Sequence, residues 1–107
     1  STLMRSSAAS DVYKRQAAVF SCNFANVCNT MAAKILERHG LDFNVMLPLL
    51  DETVAKLHRL HPKEAQTGPA SRGDVGVVGK HLALLEDDKE LSEVYSVLSD
   101  YILKNRA

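Results

Sequence analysis

The 107-residue sequence has no tryptophan, few aromatic residues (6%), two cysteines and no net charge, with 13 basic and 13 acidic residues. Because the charges balance, the chain lacks the excess of positive charge typical of proteins that bind nucleic acid or anionic membranes. The stretch without charge, residues 17–33, is too short and too rich in Asn and Ser to span a bilayer. We therefore expect no nucleic acid and no membrane among its partners.

The rest of the composition is that of an ordinary globular domain, with 46% apolar and 24% charged residues. The two cysteines, Cys22 and Cys28, do not share a helical face, and no second Cys/His pair completes a metal site. The four histidines also lack ligand spacing. We predict no metal, a cytoplasmic location, and cysteines that are small, reduced residues of the core.

Residues 1–16 form a segment of different character. Residues 11–16 are what the codons GAT-GTG-TAT-AAG-AGA-CAG would encode, and that codon sequence resembles the end of a transposon used in sequencing libraries. The segment is rich in Ser and Ala, has no helical apolar period, and lacks the apolar core of a signal peptide. We interpret it as a translated adapter without fixed structure; a natural disordered leader is the alternative. Residues 17–107 are the predicted domain.

The first predicted helix runs from residue 17 to about residue 39, with Gly40 as its stop. Three stripes follow the helical period: a large apolar one, a small-residue one suited to close helix packing, and a polar one. The large apolar stripe comprises Phe20, Phe24, Val27, Met31 and Ile35. The small-residue stripe comprises Ala18, Ser21, Ala25, Cys28 and Ala32, and the polar stripe comprises Asn23, Asn26 and Thr30. We predict a helix buried on most sides, in which Asn26 and Thr30 are structural.

Three further helices follow. Asp42 is the predicted N-cap of the second, Pro48 should cause a kink or a short break in it, and His61-Pro62 should end it. Residues 62–73 have the composition of a loop. Asp74 should cap the third helix, whose Gly76 and Gly79 favour close packing, and Asp87 or Asp88 should cap the fourth. No segment alternates like a strand, so the predicted fold class is all-α, a bundle of about four helices.

No motif in the chain performs a reaction alone, because a Gly-rich phosphate loop and a nucleophile with His and acid neighbours are both missing. The informative segments are Gln-Thr-Gly-Pro-Ala-Ser-Arg-Gly-Asp at residues 66–74, Lys-His-Leu at 80–82, and the opening Ala-Val-Phe-Ser-Cys-Asn-Phe-Ala-Asn at 18–26. Together they resemble the domain-of-unknown-function 2520 family, over about residues 17–105. Proteins of that family carry a Rossmann-like domain followed by a helical domain similar to the C-terminal domain of 6-phosphogluconate dehydrogenases.

The resemblance implies a long first helix below a nicotinamide site and a homodimer formed through the helices. It also implies that the N-terminal Rossmann domain is missing here. The expected function is then the helical substrate-side and dimerisation domain of an NAD(P)-dependent oxidoreductase, inactive by itself. NAD or NADP is expected for the full-length parent, and no cofactor for this fragment. A non-enzymatic helical interaction or ligand-binding module is the alternative.

Five residues are candidates for a site. Asn23 and His81 are catalytic candidates, although either can serve as a hydrogen-bonded structural residue. Thr67, Arg72 and Asp74 are candidates for binding a small, anionic substrate, with the Arg72 guanidinium as the anion contact and Asp74 as its orienting partner. The alternatives are a salt bridge that orders the loop for Arg72 and an N-cap for Asp74.

Overall fold

A computed structural model describes residues 2–106, with side chains from residue 8 onwards. Throughout that range the regular structure is helical, without a strand, which confirms the all-α fold class. None of its helices is long and apolar enough to cross a membrane. The chain divides into two compact units, Ser1–Val45 and Met46–Ala107, which are described separately.

The first unit contains one unbroken helical run. It consists of helix α1 (Thr2–Ala18), a π-helical segment (Val19–Phe24) and helix α2 (Ala25–Arg38). The backbone at the junction residues Ala18 and Ala25 remains in the right-handed helical region, so the run widens at the π-helical segment without breaking.

The helical run ends where the sequence predicts. Gly40 adopts a φ of 71°, a left-handed conformation that glycine reaches without steric cost. The Gly40 N–H donates to the Glu37 carbonyl at 3.1 Å, and the Leu41 N–H donates to the Leu36 carbonyl at 2.9 Å. These two bonds form a Schellman motif, which satisfies carbonyls that the end of a helix leaves unpaired.

Residues 2–16 differ from the prediction of no fixed structure, because the helix extends through them. Adding residues to an existing helix costs little, and Ser/Ala-rich sequence tolerates the helical conformation without an apolar period. Residues 8–16 are all exposed, so the helix there rests on its own backbone hydrogen bonds. The adapter origin of the segment stays a prediction.

The prediction that residues 17–33 are buried is wrong. Phe20 is 67% exposed and Phe24 47%, although their rings contact each other edge to face at 5.1 Å between centroids. Cys22 and Cys28 are free and exposed, and therefore are not core residues. The physical reason is that the first unit offers no second helix against which these stripes could pack.

The second unit contains four helices: α3 (Leu47–Leu57), α4 (Pro62–Ala65), α5 (Val75–Leu84) and α6 (Lys89–Lys104). A 3₁₀ turn, Phe43–Met46, precedes α3. The Asp42 carboxylate accepts the Asn44 N–H at 2.7 Å and so begins that turn instead of capping an α-helix. Pro48 therefore falls in the first turn of α3, where its missing N–H costs nothing. The change from 3₁₀ turn to α-helix just before it agrees with the short break predicted there.

Helix α3 ends earlier than predicted, at Leu57, and the predicted loop contains the short helix α4. His61 begins α4, since its Nδ1 accepts the Lys63 N–H at 3.1 Å. The two later caps are confirmed. Asp74 accepts the Val77 N–H and Asp88 accepts the Leu91 N–H, each at 3.1 Å.

The buried apolar residues of the described chain are Ala70, Leu85 and Leu91, which are 6–8% exposed. Leu85 follows α5 and Leu91 lies in the first turn of α6, and these two helices pack on each other. The close packing predicted at Gly76 and Gly79 is absent from residues 2–106. A Cβ at Gly79 would have no neighbour within 4 Å, and one at Gly76 would meet only the side chain of Asp74.

Candidate functional site

The loop between α4 and α5, residues 66–74, is ordered by its own hydrogen bonds. The Asp74 N–H donates to the Pro69 carbonyl at 2.8 Å, and the Arg72 N–H donates to the Gly68 carbonyl at 3.2 Å. Between these bonds the Ala70 side chain is buried. The loop is therefore a fixed turn around a small apolar anchor, and it can hold side chains in defined positions.

Gly73 has two reasons to be glycine. Its φ of 70° lies in the left-handed region, which strains any side chain. In addition, a Cβ at this position would collide with Nη1 of Arg106. The Arg106 guanidinium, just beyond α6, therefore lies against the loop. The contact depends on the absence of a side chain at Gly73.

The three predicted substrate contacts lie in this loop, but they do not form one cluster of interacting groups. Thr67 and Arg72 are exposed, and the Arg72 guanidinium has no ion pair or hydrogen bond to any described residue. Asp74 is half-buried and caps α5 through Oδ1. The expected pairing of Arg72 with Asp74 is therefore wrong: the carboxylate is held by the helix N-terminus, whose free N–H groups and positive dipole compete for it.

His81 is held by a second helix of the same unit. Its Nδ1 lies 2.7 Å from the Tyr95 hydroxyl, and the two rings meet edge to face with centroids 5.7 Å apart. His81 remains exposed. The arrangement fixes the imidazole and leaves it open to solvent, a geometry that serves a structural contact and also suits proton transfer.

Asn23 lies in the π-helical segment of the first unit, and it is exposed. Single-turn π-helical segments occur frequently at functional sites, because they change the direction of the side chains within a helix. Thr30, by contrast, donates its hydroxyl to the Asn26 carbonyl at 3.3 Å, a local bond that matches its predicted structural role.

A wide, open cleft of about 930 Å³ lies in the second unit between α4 and the end of α6. Its lining includes three cations, Lys63, Lys104 and Arg106, and a carboxylate, Glu64. These residues were not predictable as a group from the sequence, because nothing in their spacing shows that α4 and the end of α6 line one cleft. The available signal was the basic pair at the end of α6, which the helix dipole explained equally well.

Thr67 contributes to a different, smaller hollow of about 210 Å³, which Lys56 and Leu57 of α3 also line. Gln66 lines both the hollow and the large cleft. The structure therefore separates Thr67 from the cationic cleft, although the two are close in sequence.

The described residues offer little to a metal or a dinucleotide. They contain no group of three His, Cys, Asp or Glu side chains that could hold a metal ion. A dinucleotide's pyrophosphate is bound at a helix N-terminus that follows a strand and a Gly-rich turn. Within residues 2–106 there is no strand, and the N-termini of α5 and α6 are occupied by the carboxylates of Asp74 and Asp88. These residues do not fit the pyrophosphate.

Fold and site together define a helical domain with an ordered polar loop. The chain belongs to the family described as domain of unknown function DUF2520, whose model matches residues 3–102. It is also similar to a crystal structure from Bacteroides fragilis described as a "putative NADP oxidoreductase", with 48% sequence identity and a TM-score of 0.85. That similarity covers 88% of this chain and 37% of the other chain. Among curated proteins, none matches the chain significantly.

Proposed function

We propose that the chain is the helical, substrate-side part of an NAD(P)-dependent oxidoreductase and has no activity without a nucleotide-binding domain. The observation that carries the proposal is the 48% identity to the Bacteroides fragilis protein, at a TM-score of 0.85. Because this chain corresponds to 37% of that protein, the remaining part would supply the dinucleotide site that these residues do not fit.

A chimaera tests this proposal. The chimaera is the Bacteroides fragilis protein in which this chain replaces the segment that it matches. NADPH and NADH binding is then measured by fluorescence titration and by thermal stabilisation of the protein. We expect the chimaera and the unmodified relative to bind a dinucleotide, and this chain alone to bind none. A reduced nicotinamide also makes turnover of candidate substrates visible as loss of absorbance.

Three results would contradict the proposal. One is a folded chimaera that binds no dinucleotide while the relative does, since the two helical parts would then not be equivalent. Another is a relative that itself binds neither cofactor. The third is this chain alone binding as tightly as the chimaera. Circular dichroism and a cooperative melting transition establish beforehand that each protein is folded.

The loop at residues 66–74 is the proposed substrate site. Arg72 would bind an anionic group of the substrate through its planar fork, and the Thr67 hydroxyl would be a second contact. Asp74 would contribute by fixing the end of the loop through its cap on α5. His81, supported by Tyr95, is the proposed proton donor or acceptor. What supports this assignment is the free guanidinium of Arg72 on a loop that hydrogen bonds hold in place.

Substituting Arg72 in the chimaera separates binding from structure. Arg72→Lys keeps the charge but removes the fork, so we expect weaker substrate binding and a raised KM at an unchanged melting temperature. Arg72→Ala should weaken binding further. If both variants bind substrate normally and Arg72→Ala only lowers the melting temperature, the loop is structural and this assignment is wrong.

Asn23 belongs to the same proposal as a further catalytic candidate. The π-helical segment displays its side chain on the surface of the first unit. A carboxamide there can donate to and accept from a substrate carbonyl or hydroxyl. In the chimaera, Asn23→Ala should lower kcat while cofactor binding is retained, and the neighbouring exposed Asn26→Ala is the matched control.

A non-enzymatic interaction module is the second candidate, and the exposed apolar row on the first helix favours it. Phe20, Phe24 and Val27 lie on that row, and all three are exposed. An uncovered row of this kind marks interfaces in folded proteins. The chimaera distinguishes the two functions, since an interaction module does not restore dinucleotide binding to the relative.

A further inference from the structure

The cleft between α4 and the end of α6 is lined by more cations than carboxylates among the described residues. We propose that it binds a small dianion with an apolar part, either a phosphate monoester or a dicarboxylate. The proposal is separate from the oxidoreductase function, because Arg72 does not line this cleft and no nucleotide is needed to occupy it.

The charged residues that line the cleft are mostly positive. Lys63, Lys104 and Arg106 face the cleft together with a single carboxylate, that of Glu64. None of the three cations forms an ion pair with another side chain of residues 8–106. Cations brought together in one concave region repel one another and raise the local concentration of anions. Two negative charges on a ligand would offset the excess.

The cations are not needed to bond the Tyr101 and Ile102 carbonyls near the end of α6. Asn105 does that work: its backbone N–H donates to the Tyr101 and Ile102 carbonyls at 3.1 and 3.2 Å, and its Nδ2 donates to the Tyr101 carbonyl at 2.8 Å. With these last carbonyls already bonded, the ammonium of Lys104 and the guanidinium of Arg106 keep their donors for another acceptor. Phosphate and carboxylate oxygens are the acceptors that such donors prefer.

The position of Arg106 and the shape of the cleft also favour an organic anion. The Arg106 guanidinium lies beside Gly73 of the loop and is exposed to solvent. Tyr101 and Ile102 provide an aromatic and an aliphatic surface in the same cleft. The volume of about 930 Å³ is within the range of small-molecule sites, although the cleft is open. A phosphate or carboxylate joined to a ring therefore matches it better than an inorganic ion.

The experiment titrates the full chain with phenyl phosphate, with phthalate and with inorganic phosphate, by calorimetry and by NMR chemical-shift mapping. The test variant is Lys104→Gln/Arg106→Gln. The matched control is Lys14→Gln/Arg15→Gln, which removes the same two charges from exposed positions of α1. Comparing phenyl phosphate with phthalate decides which class of dianion is preferred, and inorganic phosphate measures the contribution of the apolar part.

We expect saturable binding of at least one organic dianion, with shifts at Tyr101 and Ser71. The affinity of Lys104→Gln/Arg106→Gln should be at least about tenfold lower, since charge-assisted hydrogen bonds are stronger than neutral ones. The Lys14→Gln/Arg15→Gln control should bind like the unmodified chain. Equal loss in both double variants would mean attraction by net charge alone and would overturn the proposal. Absence of saturable binding of all three probes would also overturn it.

Discussion

Nδ1 of His81 lies 2.7 Å from the hydroxyl of Tyr95, and this bond joins helices α5 and α6. Tyr95→Phe should lower the free energy of unfolding by about 0.5–1.5 kcal/mol, at the lower end because His81 is exposed. Urea denaturation measures the change. Tyr101→Phe is the control, because the Tyr101 side chain is exposed and forms no hydrogen bond within the described chain. Equal stability of the two variants would show that the bond contributes nothing.

The carboxylates of Asp74 and Asp88 are expected to stabilise α5 and α6. Replacing either with Ala should cost about 1 kcal/mol, and replacing it with Asn should restore most of the loss, because an amide oxygen also accepts the N–H bond. Denaturant midpoints of the four variants measure this, with Asp51→Ala in α3 as a control away from a cap. If Asn restores nothing, the carboxylate acts through its charge and not through the cap.

Gly73 and Gly79 should respond in opposite directions to a methyl group. Gly73→Ala should destabilise the chain by about 1–2 kcal/mol, because its φ of 70° is strained for alanine and its Cβ meets Arg106. Gly79→Ala should stabilise it by about 0.5–1 kcal/mol, since the position is helical and nothing lies within 4 Å. Thermal unfolding of both variants is the measurement.

A double variant, Gly73→Ala/Arg106→Ala, separates the two causes at Gly73. Partial recovery of stability would show the steric share, and the unrecovered part would show the backbone strain. A Gly73→Ala variant as stable as the parent would contradict both.

Deletion of residues 1–16 should change the free energy of unfolding by less than about 1 kcal/mol, since residues 8–16 are exposed and a helix of this length is marginal alone. Circular dichroism should show less helix, while the urea midpoint stays close to that of the full chain. A larger loss of stability would mean that the segment has structural contacts and would contradict its interpretation as a translated adapter.

The exposed row on the first helix should drive self-association. Phe20→Ser/Phe24→Ser should shift the chain towards monomer in sedimentation equilibrium at tens of micromolar, because two large apolar groups would no longer be removed from water. Leu84→Ser/Val97→Ser is the matched control, because both are exposed apolar residues of the second unit and do not belong to the first helix. An unmodified chain that is already monomeric would contradict the prediction.

The local features of this fold were predictable from the sequence, because each depends on residues within one turn of one another. Gly40 ends the first helical run, and Asp74 and Asp88 begin α5 and α6, as their residue types indicate. The errors at Asp42 and His61 are of the same local kind. Asp42 begins a 3₁₀ turn before α3, and His61 begins a short helix that loop-like composition concealed.

Burial and the grouping of side chains were not predictable, because both depend on which segments meet in space. The apolar period of residues 20–35 indicates that one face of the helix is suited to burial, but not whether the chain itself supplies the surface that covers it. In the structure these residues are exposed or at most half-buried. Likewise, nothing local to Lys63 indicates Lys104 and Arg106, which line the same cleft only because the fold places α4 and the end of α6 at its sides. Helix limits follow from short-range hydrogen bonding and steric preference, whereas a core and a cleft require contacts between residues far apart in sequence.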